Sequence, residues 1–228
     1  MRIYGFLVLL ACLALIGLGI FHTSWLPRRY DPSQPLDLED RWSAMSSVKL
    51  RILAHSGPLC RSALRTAPFH FQNHDHAGTT VCPLLDVWTI RHSALRSEPQ
   101  SFLASCNLAV RWILFEKNVA QPVTQEILGT ELKGIRHLGS FACRTIRDQP
   151  DSQSSHATAD AIDVSEFILA NGQKIPVSDW TKGGQNSRYL HTIRDRACQF
   201  FRTVLSPDYN ILHASHFHFQ ATGLGFCR

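Results

Sequence analysis

Six cysteines that all follow a charge-free N-terminal run restrict this chain more than any other feature of its sequence. Residues Ile3 to Phe21 number 19, are almost wholly apolar and carry no charge. At helical rise such a run roughly crosses a hydrocarbon core of about 30 Å. It passes without a break through Gly17 and Gly19 into Phe21, His22 and Trp25. A shorter apolar core and a small-residue cleavage box would mark a removable signal, so residues 1–21 are expected to stay as a membrane anchor, the alternative being a cleaved signal segment. Cys12 lies in mid-run and is expected to be an ordinary helix residue. After the run come Cys60, Cys82, Cys106, Cys143, Cys198 and Cys227. An even set in an exported chain predicts three disulfides. Chain proximity alone pairs Cys60 with Cys82, Cys106 with Cys143 and Cys198 with Cys227. No Cys-x-x-C pair occurs, which removes a thioredoxin-type redox site and a cysteine-rich zinc module.

The expected location is therefore the inner membrane, single-pass, with the domain in the periplasm. Arg28 and Arg29 just after the run bias the orientation the other way, but cysteine usage outweighs them. The formal charge of +5 does not make this a nucleic-acid binder. Three of the 23 basic residues precede Tyr30 and no acidic residue does, so the balance beyond is 20 − 18 = +2. A nucleic-acid footprint needs far more concentrated positive charge.

Residues 22–45 contain Pro27, Pro32 and Pro35 among mixed charges, the composition of an extended linker. Residues 46–228 are of a length that suits one compact domain. Leu108, Trp112 and Phe115 recur at helical spacing, as do Leu190, Ile193, Ala197, Phe200, Phe201 and Val204. Residues 161–177 alternate around Asn171-Gly172, which predicts a β-hairpin. Further strands are expected over 215–221, 86–91 and 133–138. The predicted class is α+β, a small, mainly antiparallel sheet with packed helices, preceded by one transmembrane helix.

Ligand-type side chains concentrate in two segments, Ser154-Ser-His156-Ala-Thr-Ala-Asp-Ala-Ile-Asp163 and His213-Ala-Ser-His216-Phe-His218. A catalytic zinc takes three nitrogen or oxygen ligands and keeps one position open. His156, Asp163 and one C-terminal histidine supply such a set. Side chains two residues apart on a strand share a face, so His216 and His218 can address one centre, one as ligand and the other moving protons. Other clusters read more plainly. His70-Phe-Gln-Asn-His74-Asp-His76 is expected to be a solvated polar loop, Glu116 a helix-surface residue, and His137 a hydrogen-bonded core or strand residue. Asp208-Tyr-Asn210 after Pro207 reads as a turn.

The order Ser-x-His-x6-Asp, followed about 50 residues later by His-x-His-Phe, is similar to the zinc peptidases of the D-alanyl-D-alanine carboxypeptidase, murein endopeptidase and lysostaphin-like group. A closer resemblance, from about residue 30 to the end, is to the bacterial extensin-like C-terminal domain family. It is carried by Arg136-His-Leu-Gly-Ser140-Phe-Ala-Cys143-Arg144, by Ser154 to Asp163, and by Cys198 through Leu205-Ser-Pro-Asp-Tyr-Asn210, His213 and His216-Phe-His218. The resemblance implies that His156, Asp163 and His218 hold one zinc per chain, because the peptidases use the second histidine of His-x-His. His216 then orients or deprotonates water, Arg144 holds a substrate carboxylate or the developing oxyanion, and Ser154 hydrogen-bonds the ligand loop. The implied reaction is amide hydrolysis on cell-wall (peptidoglycan) peptides; the alternative is a catalytically silent metal-holding or structural module. Two departures stand out: Ala159 where the peptidases commonly have Gly, and Ser215 where an acidic residue is frequent. Asp208 and His213 are the alternatives for the proton-transfer role.

Overall fold

The computed structural model describes residues 2–69, 71–74, 77–91, 93–147 and 149–228. Its helices are α1 (Arg2–Trp25), α2 (Ala44–Leu53), α3 (Gly57–Leu64), α4 (Cys106–Phe115), α5 (Gln121–Leu128) and α6 (Gly184–Ala197). The strands are β1 (Gln72–His74), β2 (Ala77–Gly78), β3 (Pro83–Leu84), β4 (Val87–Ile90), β5 (Arg96–Glu98), β6 (Phe102–Ser105), β7 (Leu132–Gly139), β8 (Thr145–Ile146), β9 (Gln149–Gln153), β10 (Ala161–Leu169), β11 (Lys174–Pro176), β12 (Thr203–Leu205), β13 (Phe217–Gln220) and β14 (Phe226–Cys227). The α+β class holds. The main sheet has seven strands in the order β14-β12-β13-β10-β7-β5, with β11 also paired to β10. Its centre is antiparallel, while β12 with β14 and β5 with β7 run parallel.

Nine of the ten residues of α4 are buried, including Trp112 and Phe115, so this helix is apolar nearly all round and forms the middle of the core. Ser105 starts it, its hydroxyl accepting from the Leu108 amide at 3.1 Å. Phe115 meets Phe219 of β13 at 5.1 Å between ring centres, and Trp112 meets Phe102 of β6 at 5.3 Å. The hairpin predicted around Asn171-Gly172 is present, and Gly172 there has φ 87°. The second helical stripe ends early. α6 stops at Ala197, Phe200 and Phe201 stay buried in the following turn, and Val204 is buried from β12 instead. An apolar stripe followed by a short half-buried strand mimics one longer helix. Glu116 is a second correction: it is not on a helix surface but buried, within the single π-type turn Glu116–Ala120 that joins α4 to α5.

Three disulfides are present, but two of the proximity pairings are wrong. The bonds are Cys60–Cys106, Cys82–Cys143 and Cys198–Cys227. Closing 46 residues between Cys60 and Cys106 instead of 22 costs only about 0.6 kcal/mol in chain entropy, so packing decides the pairing. Cys60 on α3 and Cys106 at the start of α4 are both buried, where these helices pack together.

Within the expected linker, Leu36 and Leu38 are buried, and Lys49 donates to the Arg28 and Pro35 carbonyls at 2.7 and 3.4 Å. Lys117 likewise donates to the carbonyls of Leu38, Glu39 and Asp40. These contacts hold the segment on the domain. Among the described residues no helix is long and apolar enough to cross a membrane. The anchor expected over residues 1–21 therefore rests on the sequence.

Candidate metal centre

Strand β13 alternates. Phe217 and Phe219 enter the core, which leaves His218 and Gln220 on the opposite face. β10 does the same, with Ile162 and Val164 in the core and Asp163 turned away. The antiparallel register sets Asp163 directly against His218, so both side chains project from one face. On its other side Asp163 pairs with Gly139 of β7, where φ is 124° and the register shifts between Asp163 and Val164. A bulge of this kind turns a side chain away from the regular pleat.

His156 arrives from a different element, the 3-10 turn Ser155–Thr158. Ser154 caps that turn, its hydroxyl accepting from the His156 amide at 3.3 Å. Asp160 ties the turn to α4: it accepts from the Ser105 hydroxyl at 2.5 Å and from the Thr158 hydroxyl at 2.7 Å. Ala159 ends the turn in the left-handed region, φ 52°, at a cost of roughly 1–2 kcal/mol for a residue with a Cβ. Its methyl is fully buried against Leu84 and Val87, which returns about 0.8 kcal/mol. The departure from Gly at this position thus keeps a net cost of up to about 1 kcal/mol.

The three expected ligands converge. One ligand atom from each of His156, Asp163 and His218 lies within 4.8 Å of the others. His156 Nε2 is 3.3 Å from Asp163 Oδ2, His218 Nδ1 is 2.9 Å from Asp163 Oδ1, and the two ring nitrogens are 3.2 Å apart. A tetrahedral ion with bonds of about 2.0–2.1 Å sets its ligand atoms about 3.3 Å apart.

Hydrogen bonding fixes which nitrogens face inward. His156 Nδ1 lies 3.1 Å from the Ser140 carbonyl, which can only accept, so Nδ1 carries the hydrogen and Nε2 presents its lone pair. His218 Nε2 lies 3.1 Å from Gln220 Oε1, while the Gln220 amide nitrogen donates to Thr222 at 3.1 Å. His218 therefore carries its hydrogen on Nε2 and presents Nδ1. Two lone pairs and a carboxylate facing one point form a donor set suited to a shared cation. An N2O donor set oriented by protein oxygens fits zinc. Burial opposes ionisation of Asp163, but with no cation bound a proton on His156 Nε2 or His218 Nδ1 donates to it, outweighs burial and holds the carboxyl well below the usual range.

The other expected residues lie at graded distances. His216 Nε2 is 3.8 Å from Asp163 Oδ2, and its Nδ1 is buried with no hydrogen-bond partner among the described residues. Burial lowers its pKa, helped by His218 and His156 and opposed by Asp163. His213 lies beside His216 and His218, at 5.2 and 6.0 Å between ring centres, tilted against the first and edge-on to the second. Its Nδ1 lies 2.7 Å from Asn210 Oδ1, and burial with His216 beside it pushes its pKa down to about 4. Asp208 does not join the cluster; its carboxylate accepts from the Trp180 indole at 2.8 Å. Arg144 is exposed, and among the described residues its guanidinium makes only a 3.4 Å contact with the Thr145 carbonyl. Its backbone does reach the site, because Ser154 N donates to Arg144 O and Ala142 N to His156 O, both at 3.1 Å. His137 is buried on β7, 3.0 Å from the Pro99 carbonyl, as expected for a core histidine. Of the rival cluster, His70, Asp75 and His76 lie outside the described residues.

Ser140, Ser155 and Gln220 went unassigned from the sequence. Gln220 had a usable signal, since the two-residue spacing that joins His216 to His218 reaches Gln220 next. The Ser140 carbonyl had none, being a backbone atom placed by the end of β7. Gly139 and Ser140 also wall a cavity of about 370 Å³ with His137, Phe102 and Arg91.

The profile of the family described as Extensin-like protein C-terminus matches residues 58–228. No curated protein and no solved structure matches the chain.

Proposed function

This chain belongs to the extensin-like protein C-terminus family, and from that premise we propose that it is a zinc-dependent peptidase or amidase acting on peptidoglycan peptides from the outer side of the membrane. The observation that carries the reading is the inward-facing set of His156 Nε2, Asp163 and His218 Nδ1, each imidazole oriented by an oxygen acceptor on its far side. Zinc, when bound, supplies Lewis acidity to a carbonyl and lowers the pKa of water toward about 7. The chain's own residues do the rest. His216 stays neutral near neutral pH and takes a proton, a task suited to a partly exposed imidazole beside Asp163. Arg144, exposed on the loop that is hydrogen-bonded to the ligand turn, holds a carboxylate of the peptide. The cavity beside Gly139 and Ser140 receives the chain of the substrate.

Three disulfides support an oxidising compartment. The single-pass anchor with the domain in the periplasm rests on the charge-free apolar run from Ile3 to Phe21 and on the cysteines that follow it.

A second reading, a silent metal-holding wall-binding module, draws support from Asp208, whose carboxylate is engaged by Trp180, and from exposed Ser215 where an acid is frequent. Incubating the protein with purified wall peptides separates the two. Zinc-dependent cleavage that disappears in His216→Ala, with metal content unchanged, supports the hydrolase. A metal-loaded protein that cleaves none of them is the silent module.

A further inference from the structure

A second cavity, of about 290 Å³, shares no residue with the metal centre and is lined by three arginines, Arg51, Arg111 and Arg202, with Cys198 and Gln199 in its wall. That volume is at the lower end for small-ligand sites, roughly 300–1,000 Å³. Arg111 is the unusual member. It projects from the fully packed helix α4 and is only 2% exposed. A buried guanidinium normally has a carboxylate partner, and elsewhere in this chain Arg61, Arg136 and Arg196 have one. Arg111 has neutral partners instead. Its Nε donates to Asn107 Oδ1 at 2.8 Å and Nη1 donates to the Phe200 carbonyl. No protein acceptor for Nη2 is found among the described residues. Arg202 spends its Nε on the Gly223 carbonyl at 3.0 Å, and Arg51 is exposed. Among the described residues no acidic side chain forms an ion pair with any of the three.

The wall is built to stay in place. Cys198 is bonded to Cys227, and Arg228 N donates to Val204 O at 2.9 Å, so the C-terminal tail is tied beside the cavity. Burial and the neighbouring Arg202 push the Arg111 guanidinium down to about 10, with Asp160 opposing from the far side. Asp160 is already engaged by Ser105 and Thr158.

We infer that this cavity is a binding site for a small multiply charged oxyanion of the phosphate type, held by Arg51, Arg111 and Arg202. A carboxylate would neutralise one of three positive charges, whereas a phosphate dianion neutralises two and offers enough oxygens for the planar donors of several guanidinium groups. The site is independent of the proposed hydrolase, because none of its residues touches His156, Asp163 or His218.

The test is titration of the full chain in detergent with inorganic phosphate, chloride holding the ionic strength constant and a chelator keeping metal away from the other centre. Binding is followed by calorimetry. One phosphate per chain is expected, weakened about tenfold or more in Arg202→Gln and again in Arg51→Glu, and unchanged in His156→Ala. Arg51 is exposed, so its variant probes the site without disturbing the core. Absence of saturable binding, binding by Arg51→Glu and Arg202→Gln as tight as by the wild type, or loss in His156→Ala would each overturn the assignment.

Discussion

At the scale of single residues, the centre depends as much on the atoms behind the ligands as on the ligands. Gln220 holds His218 in the tautomer that turns Nδ1 inward. Gln220→Leu leaves both imidazoles and the carboxylate in place but removes that acceptor, and metal affinity is expected to fall by roughly 10–100-fold. Competition against a chelator of known affinity reads this directly; an unchanged affinity would mean the tautomer is set elsewhere. Glu116 tests a different balance. Burial raises its carboxyl to about 8, Ser93 donates to one oxygen at 2.6 Å, and the other has no partner among the described residues. A carboxyl whose folded pKa lies above its unfolded value binds its proton more tightly when folded. Its contribution is therefore present below the unfolded value of 4.5 and is lost as pH rises through about 8. Between about pH 5 and pH 7 this costs the wild type about 3 kcal/mol that Glu116→Gln does not lose. Denaturant midpoints at the two pH values check it, and equal pH dependence in the two proteins would refute the buried acid.

Among the elements, the short ones carry the site. The loop after β7 is fastened to the ligand turn by Ala142 N to His156 O and Ser154 N to Arg144 O, and Cys82–Cys143 pins that loop from the other side. Replacing both Cys82 and Cys143 with Ala is expected to weaken metal retention severalfold while leaving the Cys60–Cys106 helix pair intact. Unaltered metal affinity in that variant would show that the disulfide serves stability alone. The same elements mark what could be read in advance. The two-residue period on β10 and β13, and the Asn171-Gly172 turn, were legible because side-chain alternation and turn chemistry are local. The ligand set was legible from spacing together with the family likeness. The cysteine pairing was not, because loop closure differs by only about 0.4–0.6 kcal/mol per bridge between the alternatives and packing decides it. Burial of Glu116 was hidden for a different reason: α4 is buried nearly all round, so a charged residue four positions after Trp112 has no solvent face to take.

For the molecule as a whole, a single core of aromatic residues from α4, β6 and β13 stiffens one face of the main sheet, while the opposite face of β10 and β13 holds the polar centre. Rigid strands are a suitable support for ligands that must sit within a few tenths of an ångström. The arginine-lined cavity shares no residue with that centre, so the two proposals concern separate parts of one fold. Everything proposed about hydrolysis rests on the polar centre holding a metal. Elemental analysis of the purified protein beside its His156→Ala variant tests this most directly, with circular dichroism to verify that both are folded. About one zinc per chain in the wild type and none in the variant is the predicted result. Metal absent from a folded, fully disulfide-bonded wild type, or retained at equal stoichiometry in His156→Ala, would contradict it.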